Sequence, residues 1–424
     1  MSSALKTDRY ELTMLDAAIQ AGMGSRQVVF EVFSRNLPLG RRFGVFAGTG
    51  RLIPAIQDFK FEQQELDFLE RNNIVSKQTL HWLANFSFSG EIIGFSEGEI
   101  YFGNSPVLTI SGTFAECVVL ETLVLSVLNY DSAVASAAAR MRIAAKERKL
   151  VEMGSRRANE HAAVAAARAS YISGFDATSN LLAHHRYQIP SVGTSGHAFS
   201  LLFESEADAF KAQHDAMGDQ TTFLLDTFDI ETAVTTAVET TAGKLGNVRI
   251  DSGDLSESAH RVRAQLDSLG ATGTKITVTN DLDEDAIAGL SGSPVDGFGV
   301  GTSLVTGSGH PTASFVYKLV SKFENDKWIN VSKKSTGKIN LPGKKFAYRI
   351  LENETAIRDE LRPSKIDSSN ARPLQIDYLA EGKIVWDTDL EIARKRFSSS
   401  LAELPATSRR LSEGDPALEV SFIS

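Results

Sequence analysis

The chain of 424 residues carries 44 basic and 53 acidic side chains, for a formal net charge of −9, and 42% of its residues are hydrophobic. These values are typical of a globular protein with two or three domains. The acidic balance argues against nucleic acid or an anionic membrane as a partner, so an anionic substrate would need a local cluster of cations.

The single cysteine, Cys117, lies in the apolar run CVVLETLVLSVL. One thiol excludes an intramolecular disulfide and a cysteine-rich zinc site, and we interpret it as a buried structural residue rather than a nucleophile. Residues 1–20 contain acids and no apolar core of signal-peptide length. Because we find no run of about 18 uncharged apolar residues, we expect a cytoplasmic protein that does not span a membrane.

The first 130 residues mix short helical and strand-like patterns, with strand-like runs at residues 28–33 and 107–110 between turn residues. We therefore predict an N-terminal α+β domain over residues 1–130. The pattern changes at Asp131, and residues 132–149 (SAVASAAARMRIAAKERK) then predict a strong helix.

A regular alternation of apolar and helix-like segments follows, up to residue 305. The apolar runs suited to buried parallel strands are residues 150–153, 171–175, 189–194, 222–228, 247–251, 275–280 and 295–301. The helix-like stretches between them are residues 158–170, 177–186, 206–217, 230–241, 256–269 and 284–291. This order predicts a parallel sheet, and we expect an incomplete, TIM-like α/β barrel over residues 131–305. An open doubly wound sheet is the alternative, and the lack of a G-x-G-x-x-G loop argues against a dinucleotide fold.

The barrel pattern ends after residue 305. Residues 314–335 predict a strand pair around a turn at 324–326, and residues 374–386 predict a second hairpin. A helix is expected over residues 389–404. We predict that residues 306–424 join residues 1–130 in a discontinuous α+β sandwich domain.

The polar residues that follow each apolar run are the candidates for chemistry, because α/β barrels carry their active sites at the C-terminal ends of the strands. They are Arg156–Arg157, Asp176, Thr194–His197, Asp226 and Asp229, Arg249 with Asp251 and Asp254, Asn280–Asp281, and Gly299–Thr302. Arginines bind anions, carboxylates bind a metal or ribose hydroxyls, and glycines let backbone N–H groups approach phosphate. The combination indicates a phosphorylated sugar substrate with Mg²⁺.

Several of these residues have a structural alternative. Arg156 and Arg157 could pair with Glu152 and Glu160 on a solvated face, and an acid or serine among residues 251–254 could cap a helix. The glycine-rich loop at 297–303 could be only a tight turn.

A lone histidine such as His197 is more often structural than catalytic. The small residues at 193–196, however, leave space around it, and space at a strand end favours a reactive role. No H-E-x-x-H spacing is present, so we expect no zinc site built by the protein.

An ordered series of motifs resembles nicotinate phosphoribosyltransferases and covers nearly the whole chain. The motifs are TDRYELTM (7–14), FAGTGRL (46–52), EMGSRRA (152–158), GFDATSN (174–180), GTSGHAF (193–199), VRIDSGDL (248–255), FGVGTSLVT (298–306), YKLV (317–320) and KKSTGKINLPGKKFAYR (333–349). The resemblance implies that nicotinate and phosphoribosyl pyrophosphate give nicotinate mononucleotide and diphosphate, with coupled ATP hydrolysis. It also implies a barrel-containing fold and a homodimer with the active site at the interface.

The resemblance assigns roles to single residues. Tyr10, Thr194 and Arg249 match positions that contact nicotinate, with Tyr10 expected to stack on the ring from the neighbouring subunit. His197 matches a histidine that ATP phosphorylates transiently, and Thr302 matches a contact to phosphoribosyl pyrophosphate. Arg249 can bind the substrate carboxylate through its planar fork of donors.

Strand ends and resemblance together define the candidate site. The substrate-binding set is Tyr10, Thr194, Arg249, Arg156, Arg157, Asp226, Gly299, Gly301 and Thr302. The catalytic set is His197, Arg249 and Asp251. Asp226 and Asp251 are the candidate ligands of Mg²⁺.

The sequence departs from the family pattern at two points, and three alternative functions remain open. Met153 stands where the family pattern has an aromatic residue, and Cys117 alone cannot build the cysteine-rich zinc module of some members. A nicotinamide-specific enzyme is the closest rival, although the arginines suit a carboxylate better than an amide. A quinolinate enzyme would not need His197, and a non-catalytic metabolite sensor would not need His197, Arg249 and Asp251.

Overall fold

The computed structural model of the protein describes residues 4–333, 341–387 and 389–423. Its helices are α1 (Arg9–Gln20), α2 (Thr49–Gln57), α3 (Gln63–Arg71), α4 (Lys77–Ala84), α5 (Phe114–Val118), α6 (Glu121–Ala145), α7 (Glu160–Ile172), α8 (Leu181–Tyr187), α9 (His197–Ser200), α10 (Glu206–Met217), α11 (Ile230–Thr240), α12 (Leu255–Ser268), α13 (Glu284–Gly289), α14 (Thr302–Val305) and α15 (Leu390–Glu403). Its strands are β1 (Gln27–Ser34), β2 (Gly44–Val45), β3 (Glu91–Phe95), β4 (Ile100–Tyr101), β5 (Leu108–Thr113), β6 (Lys149–Glu152), β7 (Ala177–Thr178), β8 (Thr222–Leu224), β9 (Asn247–Ile250), β10 (Lys275–Val278), β11 (Gly297–Val300), β12 (Phe315–Glu324), β13 (Lys327–Asn330), β14 (Phe346–Glu352), β15 (Thr355–Arg362), β16 (Ala371–Pro373), β17 (Gln375–Ala380), β18 (Lys383–Ile384) and β19 (Val420–Phe422).

The chain divides into two compact units. Unit 1 consists of Met1–Ser136 and His310–Ser424, and unit 2 consists of Ala137–Gly309. The mixed α/β class that the sequence predicts is confirmed.

Unit 2 contains the parallel sheet, and its described strands lie in the order β7-β6-β11-β10-β9-β8. All of its strand pairs are parallel. Because the strands run in the same direction, their C-terminal ends lie at one edge of the sheet. This edge is called the strand-end edge below. Helices α7, α10, α11, α12 and α13 lie between the strands along the chain, as the alternation predicted.

Burial alternates residue by residue along β6, β9 and β10 of unit 2. Leu150, Val248, Ile250, Ile276 and Val278 are fully buried, whereas the residues between them are half-buried or exposed. Since successive side chains of a strand point to opposite faces, one face packs into the core and the other remains accessible. Strands buried on both faces, which the apolar runs suggested, are therefore wrong for β6, β9 and β10, whereas β11 is buried at all four positions.

Two of the predicted strands of unit 2 are also wrong. Residues 171–175 form the end of α7 and a turn, because the alanine-rich helix continues to Ile172 and Gly174 then reverses the chain at φ 99°. The strand is instead β7, which the sequence suggested as part of a helix. Residues 189–194 contribute only one bridge, between Ser191 and Thr178.

Unit 1 is built on antiparallel strands. One sheet has the order β13-β12-β1-β5-β3-β17-β18, and a second has the order β16-β14-β15-β19. The strand pair β12–β13, the hairpin β17–β18 and the helix α15 are confirmed. The hairpin β14–β15 was not predicted, and its two-residue turn at Asn353 and Glu354 has positive φ at both positions. Residues 334–340, within the last motif, lie outside the described residues.

Two features of the unit 1 core bear on the sequence interpretation. Cys117 is buried, as predicted, and its carbonyl accepts a hydrogen bond from the Tyr317 hydroxyl at 2.9 Å. Arg349, the last residue of the last motif, is fully buried and donates to Asp359 and Glu99, each at 2.9 Å. Burial raises the pKa of Asp359, so the charge of Arg349 is needed to keep this carboxylate ionised. Arg349 is thus structural.

Helix α6 is longer than predicted, since it begins at Glu121. Among the described residues, α6 is the one helix that is long and apolar enough to cross a membrane, judged by length and composition alone. Of its most apolar window, 61% is buried within the protein, as in the core helix of a globular domain. Length and composition are therefore weak evidence for a membrane span here.

Candidate active site

Three side chains form a closed hydrogen-bonded group at the strand-end edge of unit 2. Arg249 points to the accessible face of β9, and its Nη2 donates to Asp251 Oδ2 at 2.9 Å. Arg249 Nε donates to Thr279 Oγ1 at 2.9 Å, and the Thr279 hydroxyl in turn donates to Asp251 Oδ1. The end of β9 and the residue after β10 are thereby fixed to each other.

The same guanidinium also holds the loop that precedes α9. Arg249 Nη1 donates to Thr194 Oγ1 at 3.0 Å and to the Ser195 carbonyl at 3.4 Å. With only 13% of its side chain exposed, Arg249 keeps one N–H of Nη2 without a partner among the described residues. The free donor fork that the sequence suggested is therefore not present, and a substrate carboxylate would meet this one N–H beside the Thr194 hydroxyl.

His197 begins α9 and lies between the loops that follow β8 and β9. Its Nδ1 is 3.2 Å from Thr227 Oγ1, and its Nε2 is 3.8 Å from Asp251 Oδ2. The side chain is 43% exposed. An imidazole that is held at one nitrogen and open to solvent can accept a transferred group without rearrangement of the fold.

Asp226 follows β8 and contacts the loop after β9. Its Oδ2 accepts from the Asp251 N–H at 3.1 Å and from the Ser252 hydroxyl. Its Oδ1 is buried and has no hydrogen-bond partner among the described residues. A buried carboxylate oxygen without a donor fits a cation or a sugar hydroxyl.

The described residues contain no group of three or more His, Cys, Asp or Glu side chains that could hold a metal ion. Mg²⁺ usually binds through one or two carboxylates together with substrate phosphates, and Asp226 Oδ1 fits this mode. Both oxygens of Asp251 accept hydrogen bonds from Arg249 and Thr279, so Asp251 is the less available of the two candidate ligands.

The remaining strand-end acids have capping roles. Asp254 is the N-cap of α12 and accepts from the Glu257 N–H at 2.9 Å, so capping falls on Asp254 and leaves Asp251 to the site. Asp229 caps α11 in the same way, accepting from the Thr232 N–H. Burial, and then the Asp229 carboxylate, raise the pKa of Glu206 to about 7. The charge next to the loop after β8 therefore changes near neutral pH.

Arg156 and Arg157 are exposed in the turn after β6 and make no ion pair with the described residues. Their suggested pairing with Glu152 is wrong, because the Glu152 carboxylate is fully buried and accepts from the Gly154 N–H and the Thr178 hydroxyl. Burial raises the pKa of Glu152. Glu152 thus fixes the turn that carries two uncompensated cations.

The glycine-rich loop lies beside that turn. A Cβ on Gly299 would come within 2.5 Å of Thr279 Cγ2 and 2.6 Å of Met153 Sδ. Gly299, inside β11, therefore makes room for two neighbouring side chains of the site. Gly301 and the exposed Thr302 form the start of the short helix α14.

Tyr10 belongs to unit 1, on α1, and is 46% exposed. Burial, and then the charge of Glu121 and a hydrogen bond to it, raise the pKa of the Tyr10 hydroxyl. The phenol therefore remains protonated while its ring stays accessible.

Several residues of the cluster were missed by sequence reasoning. They are Glu152, Thr227, Ser252 and Thr279. Each lies at a strand end or within three residues of one, so their positions did carry a signal. Three are uncharged hydroxyl residues, and such residues are common in loops of any function.

The parallel sheet and the charged cluster at its strand-end edge define the chain as an α/β enzyme. Residues 5–129 match the model of the nicotinate phosphoribosyltransferase N-terminal domain, and residues 148–363 match the model of the nicotinate phosphoribosyltransferase family. The chain belongs to this family, which confirms the resemblance found in the motifs.

Individual relatives agree with the family models. The chain is 49% identical to the Mycobacterium tuberculosis protein named nicotinate phosphoribosyltransferase pncB1, over 99% of this chain and 95% of that protein. It is 34% identical to the nicotinate phosphoribosyltransferase of Bacillus subtilis, covering 82% and 74% of the two chains. The crystal structure of human nicotinic acid phosphoribosyltransferase superposes with a TM-score of 0.84 at 25% identity, covering 99% of this chain and 97% of the human chain.

The close packing at Gly299 generates a stability prediction. Gly299→Ala would force Met153 or Thr279 to move, and we expect it to lower the free energy of unfolding by about 1–3 kcal/mol. Gly289→Ala is the matched control, because a Cβ there meets nothing within 4 Å. Scanning calorimetry of both variants measures the difference, and equal effects of the two substitutions would contradict the packing role.

Proposed function

We propose that this chain transfers the phosphoribosyl group of phosphoribosyl pyrophosphate to the ring nitrogen of nicotinate and releases diphosphate. The observation that carries the proposal is the cluster of Arg249, Asp251, Asp226 and His197 at the strand-end edge, in a chain of this family. The cluster offers the remaining N–H of Arg249 to a carboxylate and Asp226 Oδ1 to a sugar hydroxyl or a cation.

The reaction demands positioning more than proton transfer. The pyridine nitrogen has a free lone pair that forms the new bond to C1 of the ribose, while the bond from C1 to the diphosphate oxygen breaks. The residues must therefore orient the ring and stabilise the charge that develops on the leaving group. We assign the nicotinate carboxylate to the remaining N–H of Arg249 Nη2 and to the Thr194 hydroxyl, whose proton would turn to it from the Ser195 carbonyl.

The phosphate groups require cations without partners. Arg156 and Arg157 are exposed and make no ion pair with the described residues, so they can bind phosphate without breaking an existing contact. Gly301 and Thr302 complete this side of the site in the proposal. Mg²⁺ bound with the diphosphate would neutralise the charge that leaves with it. Asp226 Oδ1 is the ligand oxygen we assign to the ion, with Asp251 as the second candidate.

His197 is the residue we assign to ATP coupling. The γ-phosphoryl group of ATP would move to an imidazole nitrogen, giving ADP and phosphohistidine, and water would later remove it as inorganic phosphate. The exposed ring and its single hydroxyl partner Thr227 support this role. Asp251, at 3.8 Å from Nε2, would orient the ring.

The remaining parts of the proposal extend the family resemblance. We assign Tyr10 to stacking on the nicotinate ring from the partner copy in a homodimer, and the exposed ring supports that role. A cytoplasmic location is consistent with this set of substrates. Unit 2 would be the catalytic domain, and unit 1 the domain that contributes Tyr10.

A competition assay tests the proposed function. With phosphoribosyl pyrophosphate, ATP and Mg²⁺, we expect the purified chain to convert nicotinate in preference to nicotinamide at equal concentration, because Arg249 favours a carboxylate over an amide. The two mononucleotides are separated and quantified by chromatography. Preferential use of nicotinamide would contradict the assigned specificity, and binding without turnover would indicate a sensor.

A substitution of His197 tests the coupling. We expect His197→Ala to abolish the stimulation of mononucleotide synthesis by ATP and to raise the KM for phosphoribosyl pyrophosphate, because no phosphohistidine can form. His185→Ala is the control, since His185 is exposed in the last turn of α8. Unchanged stimulation by ATP in His197→Ala would refute the role.

A further inference from the structure

We infer that the accessible face of the unit 2 sheet forms a channel behind the nicotinate site, and that this channel takes a neutral, hydrogen-bonding substituent on C4 of the pyridine ring. The inference rests on the proposed function for the orientation of the ring. It would make the enzyme a phosphoribosyltransferase for C4-substituted nicotinates as well as for nicotinate.

A single cavity of about 520 Å³ carries the inference. At the strand-end edge it is lined by Met153, Thr194 and Arg249, and at the opposite ends of the strands by Lys149 and Lys275. Met153 follows Lys149 by four residues along the direction of β6, and four residues of extended strand span about 13 Å. The cavity therefore continues from the candidate site along the strands, and its volume is in the range of small-molecule sites.

The sheet leaves this space open because of its side-chain pattern. In a closed α/β barrel, bulky branched side chains in layers fill the interior. Here the positions that face the cavity include Thr222, Asn247, Thr277 and Gly297, which are short or polar. Val151 and Met153 also line the cavity, whereas Leu150, Val248 and Ile276 are fully buried on the other face.

The proposed reaction fixes how the ring meets the channel. The ring nitrogen must face the ribose, which lies toward Asp226 and the exposed arginines at the strand-end edge. C4 is diametrically opposite the nitrogen in a six-membered ring. Whatever the rotation about the axis through these two atoms, a substituent on C4 points away from the ribose and along the strands.

The middle of the channel offers hydrogen-bonding groups. Asn247 Nδ2 donates to Thr222 Oγ1 at 3.2 Å and to Thr277 Oγ1 at 3.1 Å. The Thr222 hydroxyl proton has no acceptor among the described residues, so it can donate to a ligand. A hydroxyl or ether oxygen of the substituent at this depth would accept a hydrogen bond from the Thr222 hydroxyl.

The far end determines the charge of the ligand. Lys275 pairs with Asp296 at 3.1 Å, and Lys149 and Glu147 line the same end. Two cations and two anions give no net charge there. A neutral polar substituent is therefore favoured over a second carboxylate or an amine.

The test compares 4-(3-hydroxypropyl)nicotinate with its 5-isomer and with nicotinate as substrates. For the intact protein we expect kcat/KM for the 4-isomer within about tenfold of nicotinate and at least about tenfold above the 5-isomer, because the C5 chain meets the channel wall. Thr222→Phe, which fills the channel two residues below the level of Arg249, should lower kcat/KM for the 4-isomer at least about tenfold and change that for nicotinate less than about twofold.

Thr355→Phe, the same change at an exposed strand residue of unit 1, should alter neither value. If Thr222→Phe does not fold, Asn247→Phe fills the same channel from the neighbouring strand β9. If the protein turned over nicotinate but not the 4-isomer, the channel inference would be contradicted and the proposed function would stand. The same holds if the filling substitution lowered kcat/KM equally for both substrates. No turnover of nicotinate by the intact protein would overturn the proposed function itself.

Discussion

The guanidinium of Arg249 is the interaction on which the rest of the candidate site depends. It donates to Asp251, Thr279, Thr194 and the Ser195 carbonyl, and so joins the ends of β9 and β10 to the loop that precedes His197. Asp251 extends the network, because its backbone N–H holds Asp226 and its carboxylate faces the His197 ring. One partly buried cation therefore positions the carboxylate, the hydroxyl and the imidazole groups together. A network of this kind orders a site before any substrate is present.

The fold could be predicted to the level of class and element order. Alternating apolar and helix-like segments carry the periodicity of β-α-β units, so most helices and strands of unit 2 were found. Residues 171–175 were misread because an apolar run of five residues fits both a strand and the end of an alanine-rich helix. The accessible face of the sheet was also missed, since runs such as NVRID and KITVTN look apolar until burial is assigned residue by residue. The hairpin β14–β15 has Asn-Glu in its turn, a weak signal compared with Asn-Gly.

The positions of the site residues could be predicted, but their partners could not. Arg249, Asp251, Asp226 and His197 could be placed on one edge of the sheet, because parallel strands bring residues that are distant in sequence to the same side. It could not distinguish Asp254, which caps α12, from Asp251, which holds Arg249. Capping and ligand binding use the same residue type, and only the direction of the side chain separates them. The identity of the substrate came from the motif series, since periodicity cannot name a ligand.

The most direct measurement for this account is the steady-state synthesis of nicotinate mononucleotide by the Arg249→Lys variant. Lysine keeps the charge but cannot bond Thr279, Asp251 and Thr194 at once, so we predict a loss of about 100-fold in kcat/KM for nicotinate, with folding verified by circular dichroism. Arg261→Lys, at a side chain that is 56% exposed on α12, should stay within about twofold of the unmodified protein. Activity of Arg249→Lys equal to that of the Arg261→Lys control would contradict the central role of Arg249.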